Sequence, residues 1–75
     1  MNKIRRKQIG AVITILESVR PTLEELRDTE EESFDNMPES LQESERGEAM
    51  QEAIDALYNA CDSLEEAIDS LNEIA

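Results

Sequence analysis

AIDALYNACDSLEEAIDSLNE, residues 53 to 73, decides the fold, because it is one seven-residue unit written three times: AIDALYN, ACDSLEE and AIDSLNE. A seven-residue apolar repeat is the signature of an α-helix with a packed seam. Ile54, Cys61, Ile68 and Ala75 share the heptad position a, and Met50, Leu57, Leu64 and Leu71 share d. Ala53, Ala60 and Ala67 fall at g beside the seam, where small residues let a neighbouring helix come close and widen the apolar stripe toward bundle dimensions. Asp55, Asn59, Asp62, Glu66, Asp69 and Glu73 occupy the opposite, wet face.

The N-terminal segment repeats the spacing, with Ile9, Leu16 and Leu23 at a and Val12, Val19 and Leu26 at d. Ile4, Ala11, Ile13 and Ile15 lie off that seam, so this helix carries two apolar faces near its start. The β-branched run at 9 to 16 also suits a strand, but no second strand is available to pair with it. Pro21 interrupts the pattern by removing a backbone donor and crowding the preceding turn, which predicts a kink near Val19 and Arg20. The expectation is therefore an all-α chain: a single domain over 1–75 formed by an antiparallel two-helix hairpin. Helix 1 spans about 2–30 with its kink near Pro21, and helix 2 spans about 44–74. A lone hairpin buries one side of each helix, so a homo-oligomeric bundle is expected. Its core would be Ile9, Val12, Leu16, Val19, Leu23, Leu26, Met50, Ile54, Leu57, Cys61, Leu64, Ile68 and Leu71.

Composition narrows the rest. The 75 residues hold 7 basic and 19 acidic side chains for a net charge of −12, which argues against non-specific nucleic-acid binding. The charge is uneven: residues 1–20 carry +4 and the remainder −16. Folding back is expected to set Lys3 to Lys7 beside Glu65 to Glu73, and exposed pairs of about 0.2 to 1 kcal/mol each would then select the antiparallel arrangement. The longest apolar run, IGAVITIL at 9–16, has eight residues, against about 20 for a membrane span. The charged stretch LESVRPTLEEL that follows supplies no signal-peptide cleavage site. A lone cysteine agrees with a cytoplasmic setting; no membrane association is expected.

Between the helices, FDNMPESLQESERGEAM (34–50) reads as a capped corner. Asn36 ahead of Pro38 and Glu39 suits a helix start, and Ser40 with Glu43, or Ser44 with Glu45 and Glu48, offers further caps. The predicted course is a turn at 35–37, a short helical piece at 38–42 and the long helix from about 44. Phe34, Met37 and Leu41 would plug the bundle end.

FDNMPESLQESERGEAMQEAIDAL (34–57), followed by LEEAIDSLNEI (64–74) and preceded by NKIRRK (2–7), resembles small helical proteins encoded in phages and prophages of gut Firmicutes. The specific part is DNMPESLQESER. The resemblance implies a phage accessory protein of the bacterial host cytoplasm that acts by binding; it implies no activity.

Catalysis finds little support in the residues. Without histidine there is no Ser/His or Cys/His pair and no Glu-x-x-His metal pattern; phosphate loops and EF-hand spacing are missing too. No enzyme, cofactor or metal is expected. Cys61 reads as a small core hydrophobe, with a bridging thiol as the alternative. Candidate ligand or partner contacts are Lys3, Arg5, Arg6 and Lys7, which could hold phosphate or merely neutralise the acidic tail; Gln42, Ser44 and Arg46 in the corner; and Tyr58, which flanks the seam. Arg46 is a cation set among acids. Function is expected to be non-enzymatic binding directed at a host defence, by sequestering a signalling nucleotide or masking an immune protein. The other readings are a helical adaptor or an acidic mimic of DNA.

Overall fold

The computed structural model describes all 75 residues as an elongated, all-α molecule of 58 × 15 × 13 Å. Three helices follow in order: α1 (Lys3–Asp35), α2 (Glu39–Gln42) and α3 (Glu45–Asn72). α3 packs along α1, and the single turn of α2 joins them. No helix is long and apolar enough to cross a membrane.

α1 begins where the Asn2 side chain accepts the Arg5 backbone N–H at 2.8 Å, a cap that satisfies one of the orphan donors of the first turn. It runs unbroken through Pro21 to Asp35, five residues past the expected end near 30. Pro21 and Glu17, whose carbonyl loses its usual donor, are both exposed, so the defect falls on the solvent side of the helix; half-buried Arg20 and Leu23 hold the helix against α3 on either side.

The corner differs from expectation in one cap. Asn36 does not start α2; it ends α1, its backbone N–H donating to the Glu32 carbonyl at 3.0 Å while the Met37 N–H donates to that of Phe34. Pro38 stands at the start of α2 without a side-chain cap. Ser44 does cap α3, its Oγ accepting from the Gly47 N–H at 3.3 Å and donating to the Leu41 carbonyl. Phe34 and Met37 are half-buried, but Leu41 stays 46% exposed and plugs nothing. Gly47 is buried because α3 starts against the corner backbone: a Cβ there would lie 2.6 Å from the Leu41 carbonyl oxygen and closer still to that of Gln42.

Across the junction, α3 contributes its a and d positions as the repeat predicts. Ile54 and Ile68 are buried, and Met50, Leu57, Cys61, Leu64 and Leu71 are half-buried. α1 does not contribute a and d. Its inner face consists of Ile9, Ile13, Leu16, Arg20, Leu23, Arg27 and Phe34, which are positions a and e, with Ile13 the buried member. The d residues Val12, Val19 and Leu26 remain 46%, 46% and 55% exposed. Since the a residues stay inward, choosing e over d turns the inner face of α1 by about half a residue, roughly 50°, and leaves a second apolar stripe outward.

Candidate interaction surface

Three surfaces bear on binding. The corner holds Gln42, Ser44 and Arg46. The Gln42 amide donates to the carbonyls of Phe34 (2.9 Å) and Met37 (3.2 Å), closing the end of α1. Ser44 caps α3, so both polar side chains are engaged in the fold. Arg46 is exposed and forms no ion pair or side-chain hydrogen bond.

The basic head lies at the far end of the rod. Burial along the inner side of α1 begins only at half-buried Ile9 and reaches its first buried residue at Ile13, while residues 1 to 8 are all exposed. Lys3, Arg5, Arg6 and Lys7 therefore overhang the end of α3 and do not lie beside Glu65 to Glu73, as folding back had been expected to place them. None of the four forms an ion pair; Arg27 with Asp28, at 3.0 Å, is the single salt bridge. The physical reason is length: α1 has 33 residues and α3 has 28, so one helix outruns the other. Both ends of α1 also oppose its own dipole, with no acid in the first turn and no base in the last.

Midway along the rod, the Tyr58 hydroxyl donates to the Glu31 carboxylate, and the Arg27 guanidinium sits 4.9 Å from the Tyr58 ring centroid, within cation–π range. The hydrogen bond to Glu31, then partial loss of water, holds the phenol above its ordinary value, and the hydrogen bond to Asp28 raises Arg27 likewise. Tyr58 thus packs at the helix junction. Arg27 and Glu31 were not among the expected contacts; their signal was the spacing Ile9, Ile13, Leu16, Arg20, Leu23, Arg27, which makes one continuous face.

The third surface is apolar. Ile4 (72%), Ile15 (62%), Leu26 (55%), Val12 and Val19 project outward from α1. Tyr58 meets α1 on one flank of α3's seam, so the opposite flanks emerge together: the outer stripe of α1 and exposed Ala53, Ala60 and Ala67 of α3 share one side of the molecule. The chain encloses no cavity, and no group of acidic or sulfur side chains is arranged to hold a metal ion. Cys61 is a free, half-buried thiol. Comparison with protein-family models, curated proteins and solved structures finds no match.

Proposed function

We propose that the chain is a non-enzymatic binding protein of the phage accessory type: an antiparallel helical hairpin that assembles with copies of itself in the host cytoplasm and captures a component of a host defence. The observation that carries this reading is the distribution of apolar side chains. Three large apolar residues are buried in the chain, whereas nine are exposed, five of them (Ile4, Val12, Ile15, Val19 and Leu26) along the outer side of α1, and an exposed apolar stripe marks an interaction face. The phage setting rests on the DNMPESLQESER resemblance.

The captured component is read as an anionic signalling nucleotide, because Lys3, Arg5, Arg6, Lys7 and Arg46 have no acidic partner within the chain and cations without partners are ready phosphate ligands. Head and Arg46 stand at opposite ends of the protomer, so one nucleotide touching both must lie between copies. Thermal melting with a panel of cyclic and linear nucleotides tests this. The midpoint is expected to rise with at least one, and Arg5→Ala or Arg46→Ala to abolish the rise. No shift with any nucleotide overturns the nucleotide reading and leaves a protein as the captured component, to be identified by affinity capture from host lysate.

A further inference from the structure

We propose that the outer stripe of α1 is the docking surface for the same stripe of a second copy, running antiparallel, with Ile15 on the two-fold axis. This names the partner for the self-assembly proposed above and rests on that reading.

The stripe is Ile4, Gln8, Ala11, Ile15, Val19, Thr22 and Leu26, all exposed. Its spacings are four, three, four, four, three and four, a sequence that reads the same from either end about Ile15. An isologous contact requires such self-complementarity, since each residue must meet its counterpart across the axis. Antiparallel docking centred there sets Ile4 against Leu26, Ala11 against Val19 and Ile15 against itself. The polar members, Gln8 and Thr22, fall opposite each other, so the break in the apolar stripe on one copy is met by a hydrogen-bonding partner on the other.

Charge selects the same arrangement. The register carries the overhanging Lys3 to Lys7 of one copy alongside residues 23 to 27 of the other, where Glu24 and Glu25 sit and Asp28 follows; Arg27, in the same range, is engaged by Tyr58 and Asp28. Lys7 and Glu25 flank the stripe on the same side of the helix. A parallel pairing would stack basic head on basic head and acidic end on acidic end. The antiparallel copy also explains two features the protomer leaves unexplained. Ile4 lies beyond the reach of α3, and the basic first turn of α1 opposes its dipole; each is answered by the neighbouring α1. Exposed Ala60 and Ala67 of α3 leave room beside the stripe for the second helix pair.

The mass is to be read by light scattering and the register by disulfide trapping. The wild-type chain is expected to be a dimer at tens of micromolar. Ile15→Glu, which sets two carboxylates face to face at the axis at a residue 62% exposed in the protomer, is expected to give a helical monomer. In a Cys61→Ser background, oxidising an equimolar mixture of Ile4→Cys and Leu26→Cys chains should yield the mixed disulfide in preference to either homodimer. A wild-type monomer, a dimer indifferent to Ile15→Glu, or a preference for the homodimers overturns the proposal. The nucleotide reading is decided separately by melting, so the failure of one is distinguishable from the failure of the other.

Discussion

Two glycines show how differently one residue type can be used. Gly47 is the point where α3 starts against the corner backbone, and the groups a Cβ would strike, the carbonyls of Leu41 and Gln42, are main chain that cannot step aside. Gly47→Ala is expected to cost about 1 to 3 kcal/mol, as overpacking does. Gly10 has nothing within 4 Å of such a Cβ, so Gly10→Ala should stabilise by about 0.5 to 1 kcal/mol through helix propensity. Chemical denaturation of both variants checks the pair; equal effects would contradict the corner geometry. Tyr58 makes a prediction of its own. The fold favours its protonated form, since the Glu31 hydrogen bond raises the phenol above 10.0. The associated stability is fully present below the unfolded value, near 10, and is lost as pH rises through the higher folded value. As the chain has one tyrosine and no tryptophan, near-ultraviolet titration reads this group alone. Its midpoint should lie above about 10, and Glu31→Gln should lower it.

At the scale of elements, Pro21 interrupts a ladder that would otherwise be continuous. The helix passes through it unbroken, and the lost hydrogen bond falls on the wet side. Pro21→Ala restores that bond without touching the junction and is expected to raise stability by about 1 to 3 kcal/mol; an unchanged denaturation midpoint would mean that packing already absorbs the defect. What the sequence disclosed varies by element. α3 was legible because its large apolar residues keep to one seam: Ile54, Leu57, Leu64 and Ile68 lie on one stripe, and only alanines widen it. α1 was half legible. Its a residues face inward as expected, but Val12, Val19 and Leu26 at d and Ile13, Arg20 and Arg27 at e compete for the second position. A sequence rule that seeks apolar residues selects d. The fold takes e, where the long stems of Arg20 and Arg27 cover apolar surface while their charges reach water. Asn36 misled for a related reason: asparagine beside proline suits a helix start, yet α1 outran its expected end and used the residue as a terminus. Ser44 was legible as a cap from its type and position, and it does cap α3; that the Gln42 amide closes the end of α1 required coordinates.

The whole molecule is a rod because its two long helices lie side by side and nothing caps their flanks. Each helix has one inner face, and a chain this small buries a modest share of its surface, so the breadth of apolar residues on α1 exceeds what one neighbour can cover. The unequal lengths of α1 and α3 set the basic head apart from the acidic tail and give the surface its two charged ends. Shape also governs how the assembly state has to be measured. The radius of gyration is 17.2 Å, whereas a compact domain of this length would have about 11 Å. By the same scaling, 17.2 Å belongs to a compact chain of roughly 220 residues, about three times the actual length. A single copy will therefore leave a sizing column ahead of a globular protein of its own mass, and an elution volume taken at face value would overstate the number of copies.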